Sequence, residues 1–172
     1  SKAEEHGVEV EGEEVLPVLN EIKELESRGF SFEAAEASVA MMLKRQEYGY
    51  KPPFELVDFF VNVEHRDGRG TFAEATVKVK VQGELLHTAA EGNGPVNALD
   101  IALRKALASY YPQIQKVRIL DSDHGTEAIT RVLIDTRNST SRWSTVGAST
   151  NIIEASWRAL ADSMEYGLMV AH

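Results

Sequence analysis

Apolar positions recur along this chain at two different periods, and the change from one to the other divides it. From Glu13, the residues Val15, Leu19, Ile22 and Leu25 fall at three- and four-residue steps, the spacing of one helical face. Gly29 ends that helix. Ser31 is placed to cap a second one, in which Ala35, Val39, Met42 and Leu43 share a face. Two short stripes cannot bury each other fully, so this pair is expected to dock on the rest of the chain. After Pro52-Pro53 the period drops to two. Val57, Phe59, Val61 and Val63 alternate with Asp58, Phe60, Asn62 and Glu64, which predicts a long strand. The segment Arg66–Gly70 turns the chain. Ala73, Ala75, Val77, Val79 and Val81 then alternate with Glu74, Thr76, Lys78, Lys80 and Gln82 as a half-buried strand. Gln82-Gly83 predicts a tight hairpin, with Glu84–Ala90 returning as a third strand. A glycine bend follows, and then a helix to about Ser109 with the stripe Leu99, Leu103, Ala106, Leu107 and Tyr110.

The pattern then runs a second time. Lys116–Leu120 reads as a strand, Asp121–Gly125 as a loop, Glu127–Thr136 as a long strand and Ser141–Val146 as its return. Gly147-Ala148-Ser149-Thr150 opens a helix with the stripe Ile153, Trp157, Leu160, Ala161 and Met164. A shift of 54 residues places Asn97 on Asn151, Leu99 on Ile153, Asp100 on Glu154 and Arg104 on Arg158. This is an internal repeat of three strands and one helix. Strands with one apolar face and a single covering helix predict an α+β fold: two βββα units, over about 54–110 and 115–166, with antiparallel sheets covered by helices on one side. Residues 1–50 form a helical linker subdomain with an acidic start, and residues 51–172 form the domain built from the two units.

Charge sharpens that division. Residues 1–50 carry 12 Asp and Glu against 5 Lys and Arg, whereas the remainder carries 15 against 13. A net charge of −9 argues against a nucleic-acid partner, because phosphate binding needs a basic face. The chain has no cysteine, which removes disulfides, zinc-thiolate sites and thiol nucleophiles. No apolar run reaches membrane-spanning length and the N-terminus lacks signal-peptide character, so a cytoplasmic protein without a membrane partner is expected.

The chemistry concentrates in Glu91-Gly92-Asn93-Gly94-Pro95-Val96-Asn97, where a glycine bend runs straight into a helix. Pro95 suits the first helical position, since its missing N–H costs nothing there. The helix start presents unpaired N–H groups and a partial positive charge, a place for a carboxylate or phosphate. The same stretch also reads as a plain strand-to-helix connection. A rival enzymatic reading starts from Asp121-Ser122-Asp123-His124, with His65 or His87 completing a metal site. No spacing fixes such a ligand set, and no G-x-S-x-G nucleophile elbow occurs.

The segments Gly92-Asn93-Gly94-Pro95-Val96-Asn97-Ala98-Leu99, Asp123-His124-Gly125-Thr126 and Gly147-Ala148-Ser149-Thr150-Asn151-Ile152-Ile153-Glu154-Ala155-Ser156-Trp157 resemble the C-terminal regulatory domain of the 2-isopropylmalate synthase and citramalate synthase family. Glu21–Glu26 and Phe32–Ser38 resemble the linker subdomain of the same family, so the likeness covers essentially the whole chain. Phe54–Val61 and Ala161–Tyr166 are more similar to the citramalate synthase branch. The resemblance implies a pseudo-twofold pair of βββα units that forms a homodimer and binds a branched-chain amino acid for feedback inhibition. Isoleucine is implied first and leucine second. The family's metal-binding catalytic residues sit in a TIM barrel, for which this chain has no room; it resembles a regulatory fragment that needs no cofactor, partners that barrel and has no catalytic or metal-binding residues of its own. A purely structural dimerisation module stays open as the alternative.

A free amino acid implied in this way has three handles. Its carboxylate suits the N–H groups of Gly92, Asn93 and Gly94 and the helix end at Pro95. Its ammonium needs a carboxylate, for which Asp58, Glu91, Asp121 and Asp123 are candidates. Its branched side chain needs a dry pocket, for which Val79, Val81, Leu85 and Val96 are candidates. The second bend, Gly147, Ala148 and Ser149, offers either a second site or a helix cap from Ser149 or Thr150. The effector is expected to bridge the two units near the dimer axis.

Overall fold

Two hairpin-linked sheets of three strands each, and a helix laid on each, account for most of the chain. The computed structural model describes residues 16–20, 35–126 and 129–170. Helix α1 (Glu36–Lys44) follows a short helical stretch at 16–20. The first unit holds β1 (Glu55–Arg66), β2 (Gly70–Val81), β3 (Glu84–Gly92) and helix α2 (Pro95–Leu107). A short 3-10 turn (Pro112–Lys116) leads to the second unit, made of β4 (Arg118–Thr126), β5 (Thr130–Arg137), β6 (Arg142–Ser149) and helix α3 (Ile152–Val170). Both sheets are antiparallel, in the orders β1-β2-β3 and β4-β5-β6. The fold is therefore α+β, as the two periods predict.

The period-two row of β2 faces the core: Ala73, Ala75, Val77, Val79 and Val81 are fully buried, with α2 packed over β2 and β3. Val132, Ile134 and Thr136 form the same row on β5, under α3. Gln82 and Gly83 both take positive φ, the geometry of a type I′ hairpin turn. The side chains of Thr88 and Thr145 each donate to a helix carbonyl, to Ala102 at 2.5 Å and Ala159 at 2.8 Å. Helix α1 packs on α3 and β6, so the segment before the two units does dock on one of them.

These contacts correct several expectations. Thr88 and Thr145 are 57 residues apart, as are Ala102 and Ala159, so the repeat has a period of 57 through β2, β3 and the helix rather than 54. Pro95 and Ile152, the first residues of α2 and α3, are related by the same step. Asp121 to Gly125 belong to β4 and pair with β5; they do not form a loop. Gly147, Ala148 and Ser149 belong to β6, and α3 starts at Ile152. Asn151 caps α3, its Oδ1 accepting from the N–H groups of Ile153 (2.8 Å) and Glu154 (3.3 Å); Ser149 instead accepts from Asn151 N–H. In the short helical stretch 16–20, Val18 is buried and Leu19 exposed, which places the apolar face one residue away from the expected stripe. Val15, Ile22, Leu25 and Ser31 lie outside the described residues.

Candidate functional site

Each sheet has an edge strand that reaches past its own helix to the helix of the other unit. This creates two clefts at equivalent places. One lies between the start of α2 and β4 and encloses about 730 Å³; the other lies between the start of α3 and β1 and encloses about 740 Å³. Both volumes fall in the range of small-molecule sites. The strands match closely. Each carries a bulge at the same point, between Leu56 and Asp58 in β1 and between Ile119 and Asp121 in β4. Phe59 pairs with Val77, and Ser122 pairs with Ile134, the residue 57 positions after Val77. Leu56, Phe59, Phe60 and Val61 therefore hold the places that Ile119, Ser122, Asp123 and His124 hold in the first cleft.

The side chains differ where the repeats diverge, although the β1 cleft also carries polar groups, from Asn151, Glu154 and Arg158. In the β1 cleft, Phe59 stacks on Trp157 with ring centroids 5.4 Å apart. The places of Phe59 and Trp157 are taken in the β4 cleft by Ser122 and Asp100. An aromatic pair that lines one cleft is thus replaced by a hydroxyl and a carboxylate in the other.

The helix ends differ too. The start of α3 is capped by Asn151 and carries Glu154 in its first turn. The N-cap of α2 is Gly94, in extended backbone, with no side-chain cap and no acidic residue in the first turn. The first intrahelical bond runs from Ala98 N–H to Gly94 O (3.0 Å), which leaves the N–H groups of Gly94, Val96 and Asn97 without an intrahelical partner. The bend is held from within, because Asn93 N–H donates to Asn97 Oδ1 at 3.0 Å. That bond uses one of the three bend amides expected to take an anion, so the open donors run from Gly94 into the first turn of the helix. Gly92 is needed for close packing, since a Cβ there would lie 2.5 Å from Asn97 Oδ1 and 2.6 Å from Ala98 N. A Cβ at Gly94 would meet nothing within 4 Å.

Below this opening, Asp100 is buried and pairs with Arg104 at 2.8 Å. Burial pushes the Asp100 carboxyl above its ordinary range, with Arg104 opposing the shift. Arg104 also donates to the carbonyls of Ile114 (3.1 Å) and Val117, which ties the connection between the units to α2.

Of the residues expected from sequence, the structure brings Asn93, Gly94, Pro95, Val96 and Asp123 together around the β4 cleft. Val79 and Val81 are sealed in the core beneath α2. Leu85 and Asp58 are exposed on the first sheet, where Asp58 lies 3.7 Å from Lys78. Glu91 is exposed on β3 and Asp121 on β4, and neither lines the cleft. Gly147, Ala148 and Ser149 lie on β6 and line neither cleft, although Ala148 O and Ser149 Oγ accept from Arg158 and Asn151 at the rim of the β1 cleft. Sequence reasoning missed Asp100, Arg104, Ile101, Ile152 and Ser156, and it considered Ser122 and His124 only for a rival metal site. The signal for Asp100 was present: a carboxylate between the stripe residues Leu99 and Leu103, with an arginine four positions on. Among the described residues, no group of three potential metal-ligating side chains converges. No described helix is long and apolar enough to cross a membrane.

The two βββα units meet in pseudo-twofold fashion, with the uncapped start of α2 facing a cleft between them. The chain belongs to the LeuA allosteric (dimerisation) domain family, whose model matches residues 20–168. It is similar to the (R)-citramalate synthase of Geobacter sulfurreducens, at 46% identity over 98% of this chain and 34% of that protein. The (R)-citramalate synthase of Aquifex aeolicus is 44% identical over 98% of this chain and 34% of that protein. The 2-isopropylmalate synthase of Shigella flexneri is more distant, at 30% identity over 81% of this chain and 25% of that protein. The resemblance read from the sequence is therefore correct, including its lean towards the citramalate branch. The chain spans about a third of the length of the citramalate synthases it matches.

Proposed function

We propose that this chain is the amino-acid-sensing regulatory domain of a cytoplasmic citramalate synthase, that it forms a homodimer, and that isoleucine binds in the cleft between α2 and β4. The parent protein is then an acetyl-CoA-dependent acyltransferase whose chemistry lies in a separate TIM barrel, and this segment catalyses nothing itself. The observation that carries the reading is the open start of α2, uncapped where its counterpart on α3 is capped. The effector carboxylate accepts from the N–H groups of Val96 and Asn97 at the positive helix end. Its ammonium meets the Asp123 carboxylate, with the Ser122 hydroxyl alongside. Its branched side chain rests on Ile101, Ile119, Val132 and Ile152, the apolar part of the lining. Because α2 belongs to one unit and β4 to the other, the bound effector bridges the two. One methylene is worth about 1–3 kcal/mol, so this apolar wall sorts valine from its larger homologues.

Calorimetric titration of the chain with isoleucine, leucine and valine in parallel tests this. Isoleucine is expected to bind most tightly; preference for leucine moves the chain to the isopropylmalate branch, and no binding by any of the three removes the sensor reading. Gly94→Asp is the decisive variant. It fits sterically and places a carboxylate on the donors the effector needs. Loss of isoleucine binding with an intact dimer by ultracentrifugation is the expected result. Unchanged binding shows that the effector sits elsewhere.

A further inference from the structure

Helix α1 precedes the first unit in the chain but is fastened to the second. Ser38 Oγ accepts from Val146 N–H of β6 at 2.9 Å, and lies 3.2 Å from Val146 O and 3.0 Å from Asp162 Oδ2, sharing its one proton between them. Just beyond α1, Arg45 donates to Asp162 at 2.7 Å and to Glu165 at 2.5 Å, both on α3. Tyr50 donates to the other oxygen of Glu165 at 2.5 Å. Burial first, and then the bond to Glu165, push the Tyr50 phenol well above its ordinary range, so it stays a donor.

The chain then crosses to the first unit within a few residues. Tyr111, just before the 3-10 turn that follows α2, donates to Pro53 O at 2.8 Å, and β1 begins at Glu55. Residues 45–54 thus connect a helix held by the second unit to a strand of the first. The second unit itself is tightly joined: a Cβ on Gly147 would lie 2.6 Å from Ala159 N, Thr145 bonds the Ala159 carbonyl, and Trp143 Nε1 donates to Ser163 O at 3.1 Å. α3 and its sheet therefore move together. Ile152 and Ser156, at the start of α3, line the cleft, while Asp162 and Glu165 hold α1 further along the same rod. At 1.5 Å per residue, Ile152 and Glu165 are about 20 Å apart along the axis.

We propose that α1, clamped through Ser38, Arg45 and Tyr50, is the output arm of the effector cleft: closing the cleft shifts the second unit against the first and carries α1, with the chain that precedes it, along. The inference rests on the effector reading above. A relative movement of packed rigid bodies is a standard means of carrying such a signal, and here the element that both parts bias is the junction of the two units. Cutting the clamp leaves the cleft whole, since Ser38, Arg45 and Tyr50 do not line it.

Hydrogen exchange read by mass spectrometry on the 172-residue chain, with calorimetry on the same samples, tests this. Saturating isoleucine is expected to change exchange over residues 36–44 by about fivefold or more, the lower end of ordinary coupling. Arg45→Met combined with Asp162→Asn should keep isoleucine binding and lose that response; Ser38→Ala, the milder variant, should weaken it. Isoleucine binding without any change at residues 36–44 overturns the clamp and leaves the cleft standing. A response that survives in both variants overturns it as well. Absence of binding to the unaltered chain overturns the effector reading and the clamp with it.

Discussion

The clefts at the starts of α2 and α3 share a strand bulge, a helix start and nearly the same volume, yet the helix end is uncapped at α2 and capped at α3. In the β1 cleft an aromatic pair forms part of the wall and a side chain closes the helix end. In the β4 cleft the same places hold Ser122 and Asp100, and a glycine leaves the helix end open. The lesson is that a duplicated fold keeps its backbone when its site diverges. Three differences per cleft, at the strand, the helix and the cap, separate a wall of stacked rings from one that presents a hydroxyl, a carboxylate and open amides.

The comparison can be broken most severely at Trp157. It is nearly buried and stacked on Phe59, so Trp157→Ala is expected to cost about 3–5 kcal/mol, read as a lower urea midpoint. A cost below about 1 kcal/mol would mean that the aromatic cleft is as loosely packed as its polar counterpart. The caps give a smaller and more pointed effect. Asn151→Ala removes the cap of α3 and should cost about 1 kcal/mol, whereas Gly94→Asp supplies the cap that α2 lacks and should leave stability equal or slightly raised. Equal losses from both would show that the two helix starts are alike.

Acidity gives the smallest effect. Burial holds the Asp100 carboxyl above its ordinary value of 3.8, so the folded chain binds that proton more tightly than the unfolded chain. The resulting stability is fully present below pH 3.8 and is lost as pH rises through the raised value. Measured as urea midpoint against pH, Asp100→Asn should remove that share of the fall. Identical pH slopes in the two proteins would show that Asp100 ionises as it does in the unfolded chain.

Much of the architecture was legible because period two and period three-to-four are separate signals. The row Ala73 to Val81 and the Gln82-Gly83 hairpin read correctly for that reason. The repeat was legible in kind but not in register. Steps of 54 and 57 differ by almost one helical turn, so on a helix the stripes still overlay. On a strand an odd slip exchanges the faces, and would set Val77 against Arg131 instead of the buried Ile134. The strand patterns therefore held the discriminating information. β4 was read as ending in a loop because Asp121-Ser122-Asp123-His124-Gly125 is rich in turn formers. Its pairing with β5 overrides that propensity, since the backbone bonds of an edge strand do not depend on its side chains. The bend at Gly94 announced itself in sequence. Its opposing wall did not, because the residues facing it come from the other unit across a contact that no local pattern encodes.

Ser38 has one more consequence. β6 is an outer strand of its sheet, and such a strand offers unpaired amide and carbonyl groups to any passing β-chain. By accepting the Val146 N–H and lying within bonding distance of its carbonyl, this single hydroxyl stands in for a neighbouring strand. A fragment trimmed to begin at Tyr50 would lose that guard and also leave Asp162 and Glu165 without their arginine. Self-association through a bared sheet edge, rising with protein concentration, is the behaviour to watch for in such a truncation.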